Sequence, residues 1–452
     1  MPEIPYKLLS KQLSRPDLLV TELEGLEDYF HDATEDKGTP QAVVFAEDES
    51  DVVTTARFCQ QNHLPLIPRG AGTGLSGGCV PTLGGIVLSV ERMKKLEIDS
   101  RNRIAYVGPG VITKELQDEA EKLGVTYPPD PASYDESTLA GNVAENAGGL
   151  RCRRFGVTRD YVIGLRSVTM SGEIIETGVF SANACFGLGD LLVGSEGTLA
   201  VVTEIAVRLV PIPKVGDTIL VAFDNPKDAA QTVSDITRAG IIPTVLEYLD
   251  GDAADCSNKY ERTEGLDSVA AIVLIETPFE DRQECAGKIE RFCQANHCSY
   301  FRIESEPEKV EKLWKVRRNL SKAVKEMGKV RVSEDVAVPN SKFPILVEFV
   351  LKLNASSPLR INAFGHAGDG NLHVNFLSMS GAPEELALME GAIEQLLKKA
   401  LDLGGTLSGE HGIGLAKRRY LRLEFDGATI DYMKRVKSVF DPENLLNPGK
   451  IF

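Results

Sequence analysis

The sequence predicts an α+β protein of two or three domains, on the strength of two patterns. Residues 42–210 alternate short apolar runs with stretches of helical periodicity until Pro211 and Pro213 interrupt them. Residues 216–304 then follow a βαββαβ order, that of a ferredoxin-like unit with an antiparallel sheet and helices on one face. With 452 residues, 42% hydrophobic and 26% charged, the chain has ordinary globular composition.

The elements follow in order. Residues 42–45 read as a strand, and Ser50 caps a helix carrying Val52, Val53, Ala56 and Cys59. Residues 64–67 form a strand that enters the segment Pro68-Arg69-Gly70-Ala71-Gly72-Thr73-Gly74-Leu75-Ser76-Gly77-Gly78. Strands follow at 86–90 and 104–107, and residues 112–123 form an amphipathic helix. The loop 194–199 leads into the last strand of this region. The second region has strands at 218–223, 244–249, 269–275 and 299–303, with helices at 226–239 and 280–296. A helix around Leu313, Trp314 and Arg317 and the strand-like Val336-Ala337-Val338 precede two glycine-framed histidine segments. Past Phe440, proline and glycine stand at helix-ending positions.

A net charge of −16 repels phosphate backbones, so no nucleic-acid partner is expected. The cluster Arg151-Cys152-Arg153-Arg154 is read as holding one small anion or as solvated. Eight cysteines, among them Cys185, form no CxxC pair and no iron–sulfur spacing, and are read as free thiols in a reducing cytoplasm. Cys285, Cys293 and Cys298 fall on a predicted helix and its exit, as buried helix-face residues. The start lacks a basic region followed by an apolar one, and no apolar run approaches the roughly 20 residues that span a bilayer. A cytoplasmic location is expected, with any membrane contact peripheral and through a partner.

Gly72 to Gly77 formally match GxGxxG, but the dinucleotide fingerprint needs a helix directly after it. Gly78, Pro81, Gly84 and Gly85 forbid that helix, and no Lys-Ser/Thr pair follows for a P-loop. A strand–loop–strand nest remains, whose backbone N–H groups can converge on a phosphate-bearing cofactor. Segments 128–133, 140–149 and 194–199 add small-residue loops able to line a long, thin ligand.

Three of the six histidines lie in Gly365-His366-Ala367-Gly368-Asp369-Gly370-Asn371-Leu372-His373-Val374-Asn375 and Ser408-Gly409-Glu410-His411-Gly412-Ile413-Gly414. Turn residues between two short strands let His366 and His373 face each other across a hairpin, with Asn375 on the face of His373. Two imidazoles and the Glu410 carboxylate make a three-ligand divalent-metal site with open positions, the catalytic pattern.

From about residue 40 to the C-terminus, these separated motifs resemble the FAD-linked oxidase family of the vanillyl-alcohol-oxidase flavin fold. Within it the chain is similar to the branch of D-lactate dehydrogenases, the glycolate oxidase catalytic subunit and D-2-hydroxyglutarate dehydrogenase. The resemblance implies a two-part FAD-binding domain at 1–213 and 406–452, and a ferredoxin-like substrate or cap domain at 214–405 carrying metal ligands. It implies FAD cradled by Arg69, Gly70, Ala71, Gly72, Thr73, Gly74, Gly77, Gly78, Pro131, Ser137, Gly141, Asn142, Gly149, Glu196, Gly197 and Asn447. Relatives that tether the flavin place a histidine near Thr73, which cannot form that link, so non-covalent FAD is expected.

The resemblance further implies that His366, His373 and Glu410 hold the metal and His411 is the base. Zinc comes first, with manganese or iron as alternatives. His411 as a third imidazole ligand with Glu410 behind it remains open. Asn375 contacts substrate, and Arg317, in a Leu-Trp-x-x-Arg helix, grips its carboxylate. The implied reaction is oxidation of D-lactate or glycolate with hydride transfer to flavin N5, with D-2-hydroxyglutarate as the longer alternative. A non-catalytic flavin-binding subunit of an oxidase complex and a flavin-free metal hydrolase are the competing classes. Electrons would pass to an electron-transferring flavoprotein, an iron–sulfur subunit or a quinone, and the chain would be a homo-oligomer or a complex subunit.

Overall fold

The structure, a computed structural model, describes residues 4–181, 187–260 and 268–452, so Cys185 and the first three residues lie outside it. The chain forms two compact units. One comprises Met1–Gly148, Gly156–Ile212 and Glu410–Phe452, the other Gly149–Phe155 and Pro213–Gly409.

The first unit holds two main sheets. In the first, Ala42–Phe45, Ile86–Ser89 and Leu66–Arg69 lie parallel, with Leu19–Val20 antiparallel on the edge. The helix Glu49–Gln61 covers it, burying Val52, Ala56 and Cys59 against Val44, Leu66 and Leu88. Its cap is Asp48 rather than the expected Ser50. The Asp48 carboxylate accepts from Asp51 N at 3.0 Å and suits the positive end of the helix dipole, while Ser50 lies inside the first turn and donates to Asp48. The second sheet is antiparallel, in the order Leu96–Asp99, Ile104–Val107, Val201–Arg208, Val162–Val168 and Ile174–Glu176. The helix Thr113–Glu121 buries Leu116 and Ala120 against its core. No helix follows the glycine loop; the chain runs through turns into Ile86–Ser89.

The second unit contains the ferredoxin-like arrangement, enlarged. Tyr300–Glu304, Val215–Phe223, Ala271–Pro278 and Val245–Asp250 are neighbours in that order. Arg360–Gly365, Asn371–Ser378 and Val330–Ala337 extend the sheet to seven antiparallel strands. Helices cover both faces, not one, and Gly251–Tyr260 is a helix the sequence pattern did not reveal. On one face Leu220, Leu249, Leu274, Phe364 and Leu377 meet the helices Gly251–Tyr260, Pro307–Arg318 and Leu320–Lys325. On the other, Tyr248 meets Phe343 of the helix Phe343–Ser356 edge-on at 5.7 Å. The cause is visible in the strands. Every residue of Ala271–Pro278 and of Val245–Asp250 is buried, so neither face can border water.

The Arg151–Arg154 cluster meets carboxylates rather than a lone anion. Arg151 lies 3.6 Å from Glu276, and Arg154 lies 3.5 Å from Glu280. The described cysteines form no disulfide with one another, and Cys285 and Cys293 are buried on the helix Arg282–Ala295. None of the described helices is long and apolar enough to cross a membrane.

Candidate active site

Within the second unit, the strands Arg360–Gly365 and Asn371–Ser378 form the histidine hairpin, with Phe364 opposite His373. Its turn depends on Gly370, at φ +73°, where a Cβ would stand 1.9 Å from the Val338 carbonyl oxygen. His366 enters the turn and His373 lies on the return strand. Both are buried, and their rings meet edge-on with centroids 5.3 Å apart.

Glu247, on the neighbouring strand, organises this pair. Its Oε1 lies 2.7 Å from His366 Nδ1, and its Oε2 accepts from Arg317 Nε at 2.5 Å. Complete burial pushes the Glu247 carboxyl up, but the charges and hydrogen bonds of His366 and Arg317 outweigh that and hold it below the usual range. A carboxylate on Nδ1 fixes the ring and directs Nε2 to a metal. Phe364 supplies the wall, with the Arg317 guanidinium 4.9 Å from its ring centre and His373 at 5.6 Å.

Asp335 lies opposite His373 on the strand Val330–Ala337, and its carboxylate accepts from Ser408 Oγ at 3.1 and 3.2 Å. That bond fixes the chain just before Gly409 and Glu410. Among the described residues, His366, His373 and Glu410 each offer one ligand atom, all within 4.8 Å of one another. Two imidazole nitrogens and a carboxylate oxygen form a donor set that fits zinc, and also manganese or iron(II). Glu247 and Asp335 escaped the sequence reading. The available signal was an acid inside otherwise strand-like runs, one in Val-Leu-Glu-Tyr-Leu and an adjacent pair in Ser-Glu-Asp-Val-Ala-Val.

Asn375 has both ends of its amide engaged. Oδ1 accepts from Arg331 at 2.8 Å, and Nδ2 donates to Asn362 at 3.0 Å.

In the first unit, Glu196 holds the loop after His411, accepting from Ile413 N at 2.8 Å and Gly414 N at 2.6 Å. Gly414, at φ +43°, leaves no room for a side chain, because a Cβ would stand 2.1 Å from the Ser76 carbonyl oxygen. That carbonyl also accepts from Leu415 N at 2.7 Å. The segment following His411 is therefore seated on the glycine loop.

Asn447 ties the remaining cradle together, donating to Gly78 O at 2.8 Å and Glu196 O at 2.9 Å. Gly197 lies beside its amide. Asn447 Oδ1 is buried with no hydrogen-bond partner among the described residues. An acceptor left open beside a glycine loop fits a ligand rich in N–H and O–H donors, as FAD is. The cradle residues divide in role. Gly70 meets Thr138, Gly78 meets Glu145, and Gly141 N donates to Thr138 Oγ1 at 3.3 Å, which joins the first loop to the helix Leu139–Glu145. Arg69 turns its guanidinium inward to the carbonyls of Asp28 and His31, and Ser137 and Asn142 converge on Thr113. Pro131 O accepts from Tyr134 N within its own turn. Gly149 belongs to the second unit, where its N–H meets Cys152 Sγ at 2.8 Å.

Comparison with known proteins agrees with this anatomy. Residues 40–178 match the FAD binding domain, and residues 212–451 match the C-terminal domain of FAD linked oxidases. The chain is 40% identical to the glycolate oxidase subunit GlcD of Bacillus subtilis, over 98% of this chain and 95% of the relative. It is 34% identical to a D-lactate dehydrogenase of Anaerostipes hadrus, over 94% and 92%. A solved p-cresol methylhydroxylase with substrate bound superposes with TM-score 0.79 at 15% identity, covering 99% of this chain and 96% of that one. That likeness shows the vanillyl-alcohol-oxidase fold.

Proposed function

The chain belongs to the FAD-linked oxidase family, and from that premise we propose that it oxidises a small D-2-hydroxy acid, D-lactate or glycolate first, to the 2-oxo acid. It is an FAD-linked oxidoreductase. The observation that carries the finer reading is the donor set of His366, His373 and Glu410, with His411 next in the chain. When bound, FAD supplies the hydride acceptor and a divalent metal the Lewis acid that acidifies a bound hydroxyl.

The protein's own groups do the rest. Arg317 holds the substrate carboxylate beside Phe364, and Glu247 fixes both Arg317 and His366. The His411 imidazole accepts the hydroxyl proton, the general-base role that histidine most often fills. Asn375, which uses one bond at each amide end, keeps a second N–H and a second lone pair with which to contact the substrate. Electrons leave to a separate acceptor, an electron-transferring flavoprotein, an iron–sulfur subunit or a quinone. The naming of the GlcD relatives as subunits supports a place for this chain in a complex.

Steady-state reduction of the bound flavin across D- and L-2-hydroxy acids tests the reading. Bleaching by D-acids is expected, and bleaching by none of the panel would sink it. FAD should separate from the polypeptide in acid, since Thr73 cannot bond it; flavin that stays with the precipitate contradicts this. Arg317→Lys keeps the charge but loses the planar fork. Its kcat/KM should fall about tenfold to a hundredfold with flavin content unchanged, and an unaltered kcat/KM would remove Arg317 from the site.

A further inference from the structure

Two helices of this chain end on nearly the same seven residues. Phe58-Cys59-Gln60-Gln61-Asn62-His63-Leu64 closes the helix Glu49–Gln61, and Phe292-Cys293-Gln294-Ala295-Asn296-His297-Cys298 closes the helix Arg282–Ala295. Both ends fold alike. His63 and His297 take left-handed backbone, at φ +50° and +59°. Each asparagine side chain donates to the phenylalanine carbonyl, at 2.8 Å from Asn62 and 3.0 Å from Asn296. Each histidine N–H bonds back to the glutamine carbonyl, and the next residue bonds to the cysteine carbonyl. Leu64 N lies 2.9 Å from Cys59 O, and Cys298 N lies 3.0 Å from Cys293 O. This is the Schellman turn, in which the two residues joined by the outer bond commonly pack their side chains together.

The copies differ at that packing position. In the first, Cys59 and Leu64 are buried in one apolar core. In the second, Cys298 stands where leucine does, so the turn sets two thiols against each other. Cys293 is buried and Cys298 half-buried. Their own backbones are hydrogen-bonded. Standard bond lengths limit the two Cα atoms to about 6.9 Å if that link were straight, and the bends at nitrogen and oxygen shorten it into the disulfide range of about 4.4–6.8 Å. Neighbouring elements hold the turn in this form. Asn296 also donates to Asp235 Oδ2 at 3.0 Å, on the helix Pro226–Arg238, and Ser299 N donates to Ala222 O at 2.9 Å.

We propose that Cys293 and Cys298 are a reversible oxidation site, which hydrogen peroxide closes into a disulfide between the helix Arg282–Ala295 and the edge strand Tyr300–Glu304. Cys298, the more accessible, reacts first. Its thiolate sulfur attacks one peroxide oxygen and the O–O bond breaks. Sulfenic acid forms, and the other oxygen leaves as water with the thiol proton. The Cys293 sulfur then attacks the Cys298 sulfur, the S–O bond breaks, and a second water leaves. Two thiols give up two electrons, and one peroxide becomes two waters. Burial raises both thiols above their ordinary range, so the first step quickens as pH rises. The bridge stops Cys298 at a rung that a thiol reductant reverses, short of irreversible sulfinic acid.

The test treats the purified full chain, with its FAD, with hydrogen peroxide. Denaturation in iodoacetamide and cleavage with trypsin follow. Trypsin cuts after Arg291 and Arg302, so both cysteines fall in one peptide, 292–302. After peroxide that peptide should carry no label and weigh two hydrogens less. After a thiol reductant it should take two labels. Cys298→Leu installs the residue that the first copy uses, so it should fold, and its Cys293 should stay labelled at the same peroxide dose. Cys293→Ala should carry Cys298 on to sulfinic acid. A wild-type peptide that keeps both labels overturns the proposal. So does a sulfinic Cys298 beside a labelled Cys293 in the wild type, or a bridge from either cysteine to another peptide. Equal oxidation of Cys293 in Cys298→Leu overturns it as well.

Discussion

His411→Ala is expected to keep its FAD and its metal, still bind substrate, and reduce the flavin about 10²–10⁴-fold more slowly, the usual contribution of a general base. Glu410→Ala, one residue away, is expected to lose metal and activity together, with partial rescue by excess metal. The contrast follows from geometry. Glu410 brings a carboxylate oxygen within 4.8 Å of ligand atoms on His366 and His373. His411 begins the segment that Glu196 and Ser76 hold by its backbone, so removing its imidazole leaves those bonds in place. Metal analysis and single-turnover flavin reduction on both purified variants separate the roles. If the His411 variant loses its metal and the Glu410 variant retains it, the two assignments are exchanged.

Glu247→Ala is expected to have the largest effect on stability of any single change near the site. Removing a fully buried carboxylate strands the Arg317 guanidinium, itself buried, and breaking such a pair costs about 3–5 kcal/mol. The same change frees His366, and loss of a carboxylate behind a ligand histidine weakens metal binding about 10–100-fold. Denaturant unfolding and metal titration read the two effects independently. Glu247→Gln, which keeps the shape but not the charge, should fall between wild type and Ala in both. Metal affinity unchanged in both variants would leave Glu247 as the partner of Arg317 alone.

The sequence by itself determined the parts whose causes are local. Glycine and turn residues between short strands located the histidine hairpin, and the hairpin exists with Phe364 opposite His373. Glycines and prolines after Gly78 excluded a helix, and none forms there. The βαββαβ rhythm gave the ferredoxin-like strands because alternation and helical period are properties of neighbouring residues. The cap of the helix Glu49–Gln61 shows the limit of that reading, since Asp48 and Ser50 are both good cap residues and only backbone geometry chose between them.

Tertiary structure alone decided what depends on strand pairing across long separations. Glu247 meets His366 119 residues away, because the strand Val245–Asp250 pairs with the strand Arg360–Gly365. Nothing in the local pattern around either residue records that register. Arg331 stands in the sequence without any glycine or turn signal beside it. Only the seven-stranded sheet shows it half-buried, with its guanidinium on Asn375 and Ser321. Chemistry-bearing residue types are legible wherever glycine and turn signals frame them. Their partners are set by which strand edges hydrogen-bond, and that is a property of the whole sheet.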